Sequence, residues 1–289
     1  MDVILLGTGT PTNPRRFQTA VLLKAAGDLL LFDAGRGTVH QMYQAGVDIK
    51  KLHTVFITHH HFDHINDLFD VIVSSAMQGR EHTLRIYGPP GTREIVEALL
   101  NVVYARDIRF RLQEQQEIHR RGGHWQERAE AISDVHVEDI MGGHIVQAAD
   151  WRVVAEEVKH GDFPDAPDFN WHCLGYRVEA ENKTLAISGD AVPCEGLIRL
   201  ARNADLLIQC CHFPRRLVDT PVRRYLTESI LPSTAQVGKV AAQSGAKRMV
   251  LTHLSQWMDQ VDVSEIYDDI RQDFEGSVQL GQDLMHIHV

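Results

Sequence analysis

Residues His59, His61, Asp63 and His64 form a His-x-His-x-Asp-His pattern inside the run Thr58-His59-His60-His61-Phe62-Asp63-His64. Neutral imidazole and carboxylate oxygen are borderline-to-hard donors, the set that binds Zn²⁺, Mn²⁺ or Fe. On an extended turn His59 and His61, two apart, converge on one ion, while Asp63 and His64 project differently and reach a second. His60 should point away from its neighbours and act as a bystander. The bland alternative is a histidine-rich surface loop or tag-like tract, which does not normally occur inside a folded segment.

The context is that of a folded segment. Thr54-Val55-Phe56-Ile57 reads as a short buried strand. Asn66 to Ala76 reads as a helix, with Asp67 near its start and Leu68, Phe69, Val71, Ile72 and Val73 behind it. The cluster therefore falls at the C-terminal end of a strand, where open α/β sheets place their sites. Three isolated residues occupy the same kind of position, though on residue type alone they count for little. His160 closes the run Trp151 to Val158, Asp190 sits in Ser188-Gly189-Asp190 after Thr184 to Ile187, and His253 follows Met249 to Leu251. On residue type alone, His144 and His172 compete with His160. Asp33 follows Leu29-Leu30-Leu31-Phe32; it is either a turn former or a carboxylate that accepts an imidazole N–H and fixes a ligand's tautomer.

Along the chain, strands and helices alternate without a linker or an internal repeat. Strands are expected near 2–6, 19–24, 28–32, 54–57, 83–87, 151–158, 173–179, 184–188, 205–208, 248–251 and 284–288. Helices are expected near 37–46, 66–78, 91–104, 194–202, 234–244 and 263–273. The stretch from about 105 to 137 is rich in Arg, Gln, Glu and Gly and reads as a polar insertion over the surface of a single domain spanning 1–289. With 289 residues, 44% of them hydrophobic, the chain can bury a substantial core. No apolar run approaches the roughly 18 residues of a membrane span, and Met1 to Gly7 enters a strand directly, unlike a signal peptide. Cys173, Cys194, Cys210 and Cys211 lack Cys-x-x-Cys spacing, which points to reduced thiols and a cytoplasmic location. A net charge of -10 argues against broad polyanion binding without excluding a local basic patch.

His59-x-His61-x-Asp63-His64 resembles the signature of the metallo-β-lactamase-fold hydrolases, and further motifs follow in that family's order. Leu5-Leu6-Gly7-Thr8-Gly9-Thr10-Pro11, Leu29 to Gly35, Val158-Lys159-His160, Gly175-Tyr176-Arg177, Ile187 to Asp190 and Leu251 to Ser255 resemble its ribonuclease Z and arylsulfatase-like branch. The resemblance runs from about residue 3 to residue 257. It implies an α/β, four-layer αβ/βα sandwich: two mixed β-sheets flanked by helices. It also implies two divalent metal ions, Zn²⁺ first with Mn²⁺ or Fe as alternatives. His59, His61 and His160 would hold one, Asp63, His64 and His253 the other, with Asp190 and a hydroxide bridging them. His160 is preferred as the middle ligand because the family places it directly after a strand and before Gly-Tyr-Arg.

The departures from that pattern bear on the substrate. Ribonuclease Z relatives carry His-Ser-Thr-Ala where this chain has Pro232-Ser233-Thr234-Ala235, and proline exchanges no proton. The reading reached from this loss and from the charge is hydrolysis of a small-molecule ester: a phosphodiester, an aryl sulfate, or a carboxylic ester or lactone. Nucleic acid and membrane partners are disfavoured, and the resemblance suggests a homodimer. Asp63 would be the base, with His172 or His212 protonating the leaving group. The alternatives are a ribonuclease Z-like tRNA 3′-processing enzyme and, from another class, a non-catalytic metal-binding sensor or assembly protein.

Overall fold

A computed structural model describes residues 1–123, 128–161, 163 and 171–289. Two sheets carry the fold, each with seven strands among the described residues. The first is built from β1 (Asp2–Gly7), β2 (Ala20–Ala25), β3 (Asp28–Phe32), β4 (Leu52–Phe56), β5 (Leu84–Gly88) and β6 (Val135–Asp139). The second holds β7 (Ile145–Gln147), β8 (Trp151–Glu157), β9 (Leu174–Ala180), β10 (Lys183–Ile187), β11 (Leu206–Cys210), β12 (Arg248–Thr252) and β13 (Ser277–Leu280). The last strand, β14 (Met285–His288), returns to pair with β1. Each sheet is mixed: β3 to β6 and β10 to β13 run parallel, and the remaining pairs are antiparallel.

Alternation along the strands decides the layers. Odd positions such as Val3, Leu5 and Leu23 face the second sheet and meet Val153, Tyr176, Val178, Ile208 and Val250 in the core between the sheets. Phe32 stacks on Phe56 at 5.1 Å, and Tyr176 reaches across from β9 to donate its hydroxyl to the Ile57 carbonyl at 2.6 Å. Even positions such as Ile4, Leu6 and Leu22 face outward, against α1 (Thr38–Gln44) and α3 (Leu68–Met77). The second sheet is covered by α6 (Glu195–Leu200), α8 (Thr234–Ser244) and α9 (Val263–Arg271). Val237, Val240 and Ala241 form the buried i, i+3, i+4 stripe of α8. The helix starts in a Ser233/Gln236 capping box and stops at Gly245 in the left-handed region. The result is the expected four-layer αβ/βα sandwich.

One stretch differs from expectation. Residues 105–137 are not a surface excursion, as far as they are described: Ala105–Arg120 is a 16-residue helix, α5, and Val135–Asp139 is the edge strand β6 of the first sheet. Ile108, Ala131, Ile132 and Val137 join the outer core. The polar composition has a simple cause, since α5 buries Ile108, packs Leu112 partly against the core and turns most of its remaining residues to solvent. Residues 124–127 lie outside the described residues. The helix expected near 91–104 is α4 (Thr92–Ala98) followed by a π-helical turn over Leu99–Val103. Among the described residues no helix is long and apolar enough to cross a membrane.

Candidate metal centre

The cluster forms because β4 ends under a fixed turn. Asp33, just past β3 with φ +60°, accepts Thr58 N at 2.8 Å and Thr58 Oγ1 at 2.9 Å, pinning the chain before His59. A non-glycine residue in the left-handed region is uncommon and has to be held by its surroundings. From His61 the chain enters a one-turn helix, α2 (Phe62–Ile65), which buries Asp63 and His64 and leaves Phe62 exposed. The second sheet supplies the remaining residues from the ends of β8, β10 and β12. Gly189 lets Asp190 approach: at φ +58°, a Cβ there would fall 2.8 Å from the Leu174 carbonyl and 2.9 Å from Thr58. His253 also has a left-handed backbone, at φ +53°.

Seven side chains converge in two groups, each with its donor atoms within 4.8 Å of one another: His59, His61, His160 and Asp190, and then Asp63, His64 and His253. In the first, His61 Nδ1 is 2.9 Å from His59 Nε2 and 3.1 Å from His160 Nε2. In the second, His253 Nε2 is 3.2 Å from Asp63 Oδ2, and His64 Nε2 is 3.7 Å from it. Asp190 Oδ2 lies between the groups: 3.9 Å from His59, 3.8 Å from His160, 3.6 Å from His64 and 3.2 Å from His253. A tetrahedral ion with ligands at about 2.0–2.1 Å puts those ligands roughly 3.3 Å apart, which these distances bracket.

The donor set passes a second test of fit. His64 Nε2 and Asp190 Oδ1 are buried without a hydrogen-bond partner, a costly condition that a cation relieves. The non-converging nitrogens are fixed instead: His64 Nδ1 is 2.7 Å from Asp33 Oδ2, His160 Nδ1 donates to the Ile230 carbonyl at 2.6 Å, and His59 Nδ1 meets Thr58 Oγ1 at 3.0 Å. Burial, reinforced by His64, holds His59 well below the usual imidazole pKa, and burial also lowers His61 and His160. All three thus favour the neutral, ligating form. At Asp190 burial is outweighed by the imidazoles of His253 and His64, which hold its carboxyl well below the usual range. His64 is pushed the other way: burial opposes its charge, but the Asp33 and Asp190 carboxylates raise it well above the ordinary value.

The structure does not bring every candidate to this point. His172 Nδ1 sits 3.6 Å from Glu157, outside both groups, while its neighbour Trp171 packs on His61 at 4.8 Å. His144 pairs with Glu138 at 3.6 Å, and the bystander His60 meets Thr92 Oγ1 at 2.8 Å. His212 lies beside the second group, its ring 6.1 Å from that of His253. Burial, then repulsion by His253, push its pKa down to about 3. Asp33 both meets Nδ1 of the candidate ligand His64 and holds the turn at Thr58. Sequence reasoning missed the Ile230 carbonyl, because a main-chain acceptor leaves no mark on residue type. Of the loop between His160 and Gly175, residues 162 and 164–170 lie outside the described residues.

A family model described as anti-Pycsar protein Apyc1 matches residues 1–263. The chain belongs to that family. Curated relatives of this Apyc1-family chain include ribonuclease Z of Mycobacterium avium, 30% identical over 295 residues, covering 100% of this chain and 98% of that protein. Ribonuclease Z of Methanothermobacter thermautotrophicus is 29% identical over 329 residues, covering 100% and 97%. Among solved structures, the metallo-β-lactamase fold protein YhfI from Bacillus subtilis superposes with a TM-score of 0.73 at 18% identity, covering 99% of this chain and 98% of that one. The short form of human tRNase Z superposes with a TM-score of 0.69 at 22% identity, covering 100% and 99%. These likenesses make the Apyc1-family chain a metal-dependent hydrolase of the metallo-β-lactamase fold, on its ribonuclease Z branch.

They also overturn one expectation. A small-molecule ester substrate, with nucleic acid disfavoured, conflicts with whole-length relatives that are ribonucleases. The physical error lies in the charge argument. A net charge of -10 averages over the entire surface, whereas binding responds to charge within about 10 Å. Arg215, Arg216, Arg223 and Arg224 fall on the segment that leads through α7 (Pro221–Ser229) to Ile230 and His160, with Arg216 paired to Glu265 and Arg223 to Asp219.

Proposed function

We propose that this chain hydrolyses phosphodiester bonds in RNA as a ribonuclease Z-like phosphodiesterase, working with two divalent ions, Zn²⁺ first, in the cytoplasm. The observation that carries the two-ion reading is Asp190, whose Oδ2 lies within 4 Å of imidazole nitrogens from both groups. Whole-length identity of 29–30% to ribonuclease Z supports RNA as the substrate. Four free cysteines, three of them buried, support a reducing compartment.

His59, His61 and His160 would hold one ion and Asp63, His64 and His253 the other, with Asp190 reaching both. When bound, the ions supply Lewis acidity at a phosphoryl oxygen and acidify the attacking water. The chain's own groups do the rest. Asp63, whose carboxyl is held below the usual range by His253 and His64 against its burial, stays ionised at neutral pH, so its oxygen accepts the proton of the attacking water. Asp33 and the Ile230 carbonyl keep His64 and His160 in the tautomer that points Nε2 inward. The P–O bond breaks, leaving a phosphate monoester on one product and a hydroxyl on the other. Pro232 and neutral His212 give that leaving oxygen no ready acid, so its proton comes from solvent.

The test is cleavage of a precursor tRNA bearing a 3′ trailer by metal-reconstituted protein. Two products should form with Zn²⁺ or Mn²⁺, and both chelation and Asp190→Ala should abolish them. Fully metallated protein that leaves every RNA intact, yet turns over other esters, would remove RNA from the reading.

A further inference from the structure

Beside the first ligand group is a slot of about 190 Å³ lined by His61, His160, Gly161, Phe163, Trp171 and Ile230. We propose that it holds one nucleobase of the substrate, next to the phosphate at the metal centre, by stacking on Trp171. Pockets for drug-sized ligands run to about 300–1,000 Å³, so this one has room for a single ring system. Its lining among the described residues is largely apolar. Gly161, Phe163 and Ile230 bring no polar side-chain atom, and the two imidazoles commit nitrogens to the ligand cluster and to the Ile230 carbonyl.

The walls are built into the fold. Gly161 has φ +106°, and a Cβ on it would fall 2.8 Å from the Phe163 ring, so the glycine is what lets that ring close one side. Trp171 rests on His61 with ring centroids 4.8 Å apart and planes inclined by 41°, which places an indole surface immediately beside a ligand. Ile230 lines the slot, and its carbonyl orients His160. A ring in the slot therefore packs on the same residue that positions the ligand. Stacking of this kind tolerates every base, because each has a π-face, and contributes about tenfold or more in affinity. The slot should accept purines and pyrimidines alike.

This inference rests on the phosphodiesterase reading, and its test is binding, which needs no turnover. Calorimetric titration of metal-reconstituted protein with AMP, UMP and ribose 5-phosphate should give both nucleotides about tenfold lower Kd than the sugar phosphate. In Trp171→Ala that advantage should fall close to one, while Trp171→Phe should keep most of it. Ile230→Ala, which leaves the main-chain acceptor in place, should reduce it by an intermediate factor even if Trp171→Ala loses metal. Equal binding of nucleotide and sugar phosphate by the wild type overturns the slot, as does an undiminished advantage in metallated Trp171→Ala. Failure of precursor cleavage with the binding advantage intact removes the RNA substrate and leaves the slot standing.

Discussion

Asp33 Oδ2 lies 2.7 Å from His64 Nδ1, and both side chains are buried. The same carboxylate accepts Thr58 N and Thr58 Oγ1, so one side chain fixes both the start of the turn before His59 and the tautomer of His64. Asp33→Asn keeps the shape and removes the charge. Loss of such a partner typically weakens metal affinity about 10- to 100-fold. Competition with a fluorescent chelator should show a drop of that size. An affinity within twofold of the wild type would mean that Asp33 serves only the turn.

Removing metal should expose a pH dependence that the loaded protein lacks. His59, His61, His160 and His212 all have folded pKa values below the ordinary imidazole range, chiefly through burial. As pH falls through about 6.5 the unfolded chain takes up protons that these folded residues refuse, so stability falls. Asp63 and Asp190 act in the same direction at lower pH: their depressed values stabilise the fold above the unfolded carboxylate pKa and that contribution is lost as pH drops. Among the histidines His64 opposes the trend, since its raised value favours the folded state until pH rises through it, and the Asp67 carboxyl, raised by burial, acts in the same sense. With His60 and His82, also lowered by burial, six histidines stand against one, which predicts that the chelated protein's Tm declines steadily from pH 7.5 to 5. Differential scanning fluorimetry would show it, and a flat or rising Tm would contradict the balance.

What was legible in the sequence was whatever combined a residue type with a strand end. His59, His61, Asp63, His64, Asp190 and His253 each follow an apolar run that is a strand in the structure, and their convergence comes from two sheets whose strand ends face each other. Elements with weak periodicity were harder to read. The helix α5 buries Ile108 alone, and β6 alternates Val135 and Val137 with His136 and Glu138 at a sheet edge. A whole-chain charge misleads about partners because it says nothing about the local charge beside the site. Contacts made by main-chain atoms, such as Ile230 to His160, leave no trace in composition.

Away from the centre, Arg80 is fully buried and donates to Ser75 Oγ at 3.2 Å and to the carbonyls of His82, Asp134 and Ala131 at 2.8, 2.8 and 2.6 Å. None of these acceptors is a carboxylate, and burial pushes the guanidinium down to about 10. Arg80 thus ties the end of α3 to the start of β5 and β6. Arg80→Ala would leave the His82 carbonyl without a donor, take one of two donors from the carbonyls of Ala131 and Asp134, which keep Asp134 N and Leu84 N, and open a cavity, a loss of about 2–5 kcal/mol. Urea denaturation should register it, with metal content per folded protein unchanged. A loss under 1 kcal/mol would show that water replaces the guanidinium.

The thiols should divide by burial. Burial is the main cause raising Cys173, Cys210 and Cys211 above the ordinary thiol range, which keeps them protonated and unreactive. Cys194 is only partly buried, at the start of α6. Alkylation of native protein at pH 8, read by mass spectrometry, should therefore label Cys194 first, with the other three following only on unfolding. Early labelling of Cys210, whose Sγ accepts Ala191 N at 3.2 Å just after Asp190, would mean that the Asp190 turn opens in solution.

Asp63 and His212 border the same ligand group but should differ sharply in effect. Asp63 is ionised at neutral pH and lies 3.2 Å from His253 Nε2, so Asp63→Asn removes both a donor and a base. His212 is neutral at pH 7, with a pKa near 3, and its Nδ1 has no hydrogen-bond partner. A group with that value carries no proton to give a leaving oxygen at neutral pH. His212→Asn should accordingly lower kcat by less than tenfold and leave the pH–rate profile unmoved, whereas Asp63→Asn should cost on the order of 100-fold or more, within the usual range for a positioned acid or base. If His212→Asn instead removes the basic limb of the profile, the occupied site has raised that imidazole, and His212 is the leaving-group acid.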